Sequence, residues 1–175
     1  MRPKGGDIAT KENYDDYLLH LEWMEPDMPN AHGQEKGNSG IGLQGRYEIQ
    51  ILDSYGWKVP GTGDCGSVYS KAAPLINACK PAMKWQSYDV TFRSPRLGAD
   101  GKLNEKARVT VVQNGIVVQN NTEIPGMTGI QYNFDPDPTK PGPIVLQDHG
   151  YPVKFRNVWV LPLPKESSKE YDPHN

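Results

Sequence analysis

Apolar and polar residues alternate along much of this chain, in short runs separated by glycine, proline and asparagine. A period of two belongs to strands, whose successive side chains point to opposite faces. In YLLHLEWM (17–24), Leu19, Leu21 and Trp23 fall on one face and Leu18, His20, Glu22 and Met24 on the other. KWQSYDVTFRS (84–94) is a second β-rich run. ARVTVVQNGIVVQNN (107–121) places two β-branched runs around Asn114-Gly115, the pair favoured in a type I′ hairpin turn. GPIVLQDHGYPVKFRNVWVLP (142–162) predicts two more strands around His149-Gly150, and GIGLQGRYEIQILD predicts one long strand over about 41–53. VYSKAAPLINACK leaves room for one short helical turn, cut by Pro74. No amphipathic helix of useful length and no internal repeat is present. Many short strands with turn signals between them predict an all-β sandwich or closed barrel.

The 175 residues suit a single domain, expected over 1–164 and followed by a polar tail, 165–175. The 18 glycines and 16 prolines agree with a turn-rich all-β chain. A net charge of -2 provides no basic field for a polyanion, so nucleic acid is not an expected partner. No apolar run reaches the ~20 residues of a membrane span, and the first residues lack a signal peptide's apolar core. Cys65 and Cys79 are too few for a disulfide scaffold: two small half-buried thiols, or a single bridge in an oxidising compartment.

Chemistry enters with the 41–53 segment. Leu43, Tyr47, Ile49 and Ile51 have one parity, suited to a core, while Gln44, Arg46, Glu48 and Gln50 form a polar row of the other parity. Glu22 joins that row if the two strands pair, and Gln147 and His149 share a parity near the end of a later strand. Each sugar hydroxyl both donates and accepts a hydrogen bond, so a mixture of carboxylate, guanidinium, amide and imidazole suits a polyhydroxylated ligand. Trp57, in a Gly/Pro loop, is placed to stack on a sugar face. The competing reading is a solvated outer sheet face, with His149 a hydrogen-bonded turn residue. Loop carboxylates such as Asp135 and Asp137 could hold a divalent cation, or belong to a stiff proline-bounded loop.

The successive blocks GGDIATKENYDDYLLHLEW, GNSGIGLQGRYEIQILDSYG, CGSVYSKAAPLINACKPAMKWQSYDV, ARVTVVQNGIVVQNN and GPIVLQDHGYPVKFRNVWV resemble the 3-keto-disaccharide hydrolase domain family, from about residue 5 to 161. The resemblance implies a concanavalin A-like jelly-roll fold, a secreted or periplasmic bacterial setting, and cleavage of glycosides already oxidised at C3. Members usually begin with a further segment, so a strand and part of the groove wall are expected to be lacking, with another part of the chain or a partner subunit completing the sheet. A homo-oligomer is one such arrangement. A 3-keto sugar can be cleaved by removal of the C2 proton and loss of the C1 oxygen, which needs a base, an acid and donors for the enolate. Glu48 or His149 is then the base and the other the acid, with Arg46 and Gln50 as enolate donors. Gln44, Gln147 and Asn157 would orient hydroxyls, and Glu22 would be a second carboxylate or a metal ligand. A carbohydrate-binding module without catalysis is the alternative.

Overall fold

The computed structural model describes residues 4–130, 132–133, 135 and 137–164. Two antiparallel sheets make a β-sandwich. One contains β1 (Ile8–Ala9), β3 (Ser39–Leu43), β4 (Tyr47–Ile51) and β10 (Val145–Leu146), in the order β1-β10-β3-β4. The other contains β2 (Tyr17–Met24), β5 (Gln86–Arg93), β8 (Arg108–Gln113), β9 (Ile116–Glu123) and β11 (Lys154–Pro162), in the order β11-β2-β5-β8-β9. A small ribbon of β6 (Arg96–Leu97) and β7 (Leu103–Glu105) stands apart. The expected polar tail, 165–175, lies outside the described residues.

The core lies where the two inner faces meet. β2 contributes Tyr17, Leu19, Leu21 and Trp23, β5 contributes Tyr88, Val90 and Phe92, and β8 contributes Val109 and Val111. From the other sheet come Ile41, Leu43, Tyr47, Ile49 and Ile51. Each large side chain withdrawn from water here stabilises the fold by about 1.5–3 kcal/mol. Trp23 packs on Tyr88 with ring centroids 4.2 Å apart, and Tyr17 on Phe92 at 5.2 Å. The alternation of β2 and the Asn114-Gly115 turn between β8 and β9, with both residues at positive φ, agree with the sequence reading.

Two expectations are corrected. The long strand over 41–53 is a hairpin: β3 and β4 pair from Ser39↔Ile51 to Leu43↔Tyr47. Between them Arg46 N–H donates to Leu43 O, closing a turn in which Gln44 (φ 53) and Gly45 (φ 65) are left-handed. Glycine adopts that conformation freely and glutamine rarely does, so the turn signal is half hidden. The short helical turn anticipated within VYSKAAPLINACK is absent. That segment carries bridges Ile49↔Val68 and Val68↔Ala72, and the helical turn found among the described residues is a 3-10 turn at Gly33–Glu35.

Candidate functional site

Because β4 points its odd residues inward, Glu48 and Gln50 project from the outer face of their sheet. That face is not solvated. Glu48 is 3 % exposed and Gln50 1 %, so the reading of a wet outer strand face does not apply to them. Three segments cover it. Residues 66–69 run along the free edge of β4, with Gln50 N–H donating to Ser67 O and Tyr69 N–H to Glu48 O, both at 3.0 Å. From the segment around Thr128, that side chain accepts from Glu48 N–H at 2.8 Å. The chain leaving β10 is tied down by Gln147 N–H to Gly40 O at 2.9 Å and by Ser39 Oγ to Gln147 O at 2.7 Å.

These segments enclose a cavity of about 160 Å³ lined by Asn38, Glu48, Gln50, Tyr69, Gly129, Gln147 and His149. The Glu48 side chain lies across Gly40, where a Cβ would stand 2.4 Å from Glu48 Oε1. At Gly129 a Cβ would meet the Tyr69 ring at 3.3 Å and Glu48 Oε2 at 3.5 Å. Both glycines keep clear the space that the carboxylate occupies.

Burial pushes the Glu48 carboxyl up to about 7, and the negative charge of Asp7 adds to the rise. Among the described residues no hydrogen-bond donor reaches the carboxylate to offset the loss of water. Asp7 belongs to the segment leading into β1. Its Oδ1 accepts from Asp148 N–H at 2.8 Å, while Asp148 accepts from Gly6 N–H and Gly150 N–H. The turn presenting His149 is therefore tied to the same segment that places a charge beside Glu48. Among the described residues, Gln50 Oε1 and Gln147 Oε1 are buried acceptors without a partner. Unpartnered buried acceptors are uncommon, and in a cavity wall they are free to accept from a ligand's donors or from water.

Four of the residues singled out in the sequence thus meet in one cavity: Glu48, Gln50, Gln147 and His149. The others are placed elsewhere. Arg46, in the hairpin turn, donates to Lys140 O (2.9 Å), Asp137 O (3.1 Å) and Gln44 Oε1 (3.3 Å), so its two terminal nitrogens hold the 137–140 loop, while its Nε is buried without a partner among the described residues. Gln44 is fully buried and donates to Tyr14 O at 3.0 Å. Their even parity does not make one row with Glu48, because the chain reverses between them. Trp57, 36 % exposed, is outside the cavity lining, its carbonyl accepting from Asn77 Nδ2.

Glu22 and Asn157 project from the outer face of the other sheet, with the core between them and Glu48. Asn157 sits at an irregularity of β11 with φ 50 and donates to Glu22 Oε1 at 3.1 Å. Arg156 binds Glu22 Oε2 through Nε at 2.8 Å and lies 3.9 Å over the Trp85 ring. The hydrogen bonds from Arg156 and then Asn157 hold the Glu22 carboxyl below its ordinary range. Glu22 is thereby a committed ion-pair partner and a weak base.

A wider depression of about 610 Å³ is lined by Asn13, Tyr132, Asn133, Asp135, Lys140, Pro141 and Pro143. Its carboxylate, Asp135, is held below the usual range by Asp137 N–H and by Lys140. Asp137 Oδ1 is likewise occupied by Thr139. Among the described residues no three His, Cys, Asp or Glu side chains gather where they could hold a metal ion. Cys65 and Cys79 are free thiols, both within 3.4 Å of Gln113 Nε2.

Asn38, Tyr69 and Gly129 were not singled out in the sequence as site residues. They lie in connecting segments without strand periodicity, where no parity argument can aim a side chain. The nearest signal is the turn-rich GNSG stretch that precedes the polar row.

The family model described as the 3-keto-alpha-glucoside-1,2-lyase-like domain matches residues 1–161. Among solved structures, a "putative glycosyl hydrolase" of Parabacteroides distasonis ATCC 8503 is 41 % identical, with TM-score 0.79, over 91 % of this chain and 69 % of that one. Two further chains of the same organism and description are 20 % and 22 % identical, with TM-scores of 0.61 and 0.59, covering 83 % and 76 % of their lengths, and show the shared fold. No curated protein matches the chain.

Proposed function

Because the chain belongs to the 3-keto-α-glucoside-1,2-lyase-like domain family, we propose that the Glu48 cavity cleaves glycosides oxidised at C3, with Glu48 as base and His149 as acid. The observation that carries this reading is the state of Glu48. A carboxyl raised to about 7 inside a small cavity is poised to exchange a proton near neutral pH. The two unpartnered amide oxygens beside it suit a hydroxyl-rich ligand. Sites for drug-sized ligands run to roughly 300–1,000 Å³, so a cavity of about 160 Å³ suits one sugar ring with the remainder of the glycoside outside.

The chemistry follows from the ketone. It acidifies the proton on C2, which passes to the ionised Glu48 carboxylate, and the C2–H electrons form an enolate on O3. As the enolate collapses, C1=C2 forms and the C1–O bond breaks, its electron pair leaving with the oxygen. His149 supplies the proton to that departing oxygen. The product is an unsaturated keto sugar, and addition of water across C1=C2 makes the net result hydrolysis. Ordinary glycosidases instead use two carboxylates around an oxocarbenium ion. Among the described residues, the carboxylate in the cavity lining is Glu48.

The test is incubation with a 3-keto disaccharide and with its unoxidised parent, followed by product analysis, for the wild type and for Glu48→Gln and His149→Asn. Cleavage of the keto form alone, lost in Glu48→Gln, is expected. Equal cleavage of both sugars would overturn the elimination chemistry, and undiminished turnover by Glu48→Gln would remove it as base. Binding without turnover in the wild type would make the domain a carbohydrate-binding module.

A further inference from the structure

We infer that Gln34, a residue outside the cavity, fixes the cavity floor as a hydrogen-bond acceptor surface that grips sugar hydroxyls and turns the ketone oxygen to the opposite side. The inference deepens the proposed reaction by giving the orientation of its substrate, and rests on that reading for the ketone alone.

A carboxamide offers an oxygen at one end and two N–H donors at the other, and its surroundings decide which end faces where. Asn38 Nδ2 donates to Gln34 O at 3.0 Å and to Gln34 Oε1 at 3.1 Å. Gln50 Nε2 donates to the same Gln34 Oε1 at 3.0 Å and to Gly63 O at 3.2 Å. Gln34 is itself oriented, because its Nε2 donates to Gly63 O at 2.8 Å. The main-chain carbonyls of Gln34 and Gly63 can only accept. Reversing either amide would set oxygen against oxygen, so both nitrogens must face Gln34. The oxygens are what Asn38 and Gln50 have left for the cavity they line.

Gln50 Oε1 is indeed without a partner among the described residues, and Gln147 Oε1 adds a second such atom. Beside them stands the Glu48 carboxylate. A ligand group on this side must donate hydrogen, as a hydroxyl does. A ketone oxygen can only accept and is repelled here. Tyr69, also in the lining, carries an O–H that can donate to it. Gln34 acts through Asn38 and Gln50 and is a positioning residue.

The test replaces single hydroxyls of methyl glucoside by fluorine, which preserves size but cannot donate. Affinity is measured by calorimetry for the wild type, Gln34→Ala and Gln34→Glu, with the unoxidised glycoside so that no turnover intervenes. Loss of a donor opposite a buried acceptor is expected to weaken binding to the wild type on the order of tenfold at one or more ring positions. Gln34→Ala frees both amides to turn and should lose that discrimination. Gln34→Glu gives up the bond to Gly63 O, but its carboxylate can only accept and so keeps both nitrogens turned toward it, and it should retain the discrimination. Fluorinated sugars that bind the wild type as well as their parents, discrimination that survives Gln34→Ala, or no binding of any of these sugars would each overturn the inference.

A second reading uses the unaltered protein: the side-chain NH2 hydrogens of Asn38 and Gln50 should exchange slowly by NMR, and rapid exchange of both would contradict their fixed orientation. Neither measurement involves cleavage. Failure of the elimination chemistry and failure of this inference are therefore seen separately.

Discussion

Replacing Glu48 by glutamine should stabilise the protein above neutral pH and leave its stability unchanged in acid. The folded carboxyl is raised from an ordinary 4.5 to about 7 by burial and by Asp7. Between those two values the folded chain holds a proton that the unfolded chain has released, so stability falls as pH rises through this window. Each pKa unit is worth about 1.4 kcal/mol, and the full loss is therefore roughly 3 kcal/mol once pH exceeds 7. Glutamine has nearly the same shape and no charge to ionise, so Glu48→Gln escapes the loss. The difference between variant and wild type should be near zero below pH 4.5, grow steadily to pH 7 and then level off. Glu25, fully buried and also raised to about 7, contributes a similar slope to both proteins and cancels in the difference. Urea unfolding at half-unit steps from pH 4 to 8.5 measures the curve. In thermal melts the plateau corresponds to a rise on the order of 10 °C for a domain of this size. A stability difference that does not vary with pH would refute the reasoning, because it would mean that Glu48 titrates alike in the folded and unfolded chains.

Other outcomes follow from the same geometry. Gly40→Ala places a methyl group 2.4 Å from Glu48 Oε1, and should lower turnover at least about 100-fold by displacing the proposed base, read by steady-state kinetics beside a circular dichroism spectrum that stays native. Asp7→Asn keeps an acceptor for Asp148 N–H and removes the charge that lifts Glu48; the Glu48 carboxyl resonance should titrate at lower pH, with the acidic limb of kcat/KM moving the same way. Arg46→Met leaves the carbonyls of Asp137 and Lys140 without their donor and should cost about 2–4 kcal/mol in urea unfolding.

How much of this was legible in the sequence depends on periodicity. β2 could be read to the residue, because its buried residues alternate strictly with half-exposed ones, and the β8–β9 hairpin announced itself through Asn114-Gly115. The 44–46 turn did not, since glutamine at positive φ is an uncommon turn signal and the apolar parity runs through it undisturbed. The candidate site was half visible for a related reason. Parity could show that Glu48 and Gln50 share a face, but not which segments would close over that face and bury it. Glu22 and Asn157 show what parity and residue type leave open. Their chemistry fits a sugar site, yet sheet membership sets them on the far side of the sandwich, and sheet membership has no local signature. Arg46 shows that residue type alone misleads when loop carbonyls compete for a guanidinium.

The β3–β4 connection carries a constraint of its own. Leu43 and Tyr47, on either side of Gln44-Gly45-Arg46, both face the core. Directly opposed residues of an antiparallel pair share a face, so this register keeps the odd residues of both strands inward. A slip of the pairing by one residue would turn Glu48 and Gln50 toward the apolar interior and push Ile49 and Ile51 into the cavity, exchanging polar for apolar along the whole strand. Homologues should therefore vary more freely in the residues of the connection than in the register it joins. A shifted register there should be found only together with a compensating bulge in β4 or with the loss of both the core and the polar cavity face at once.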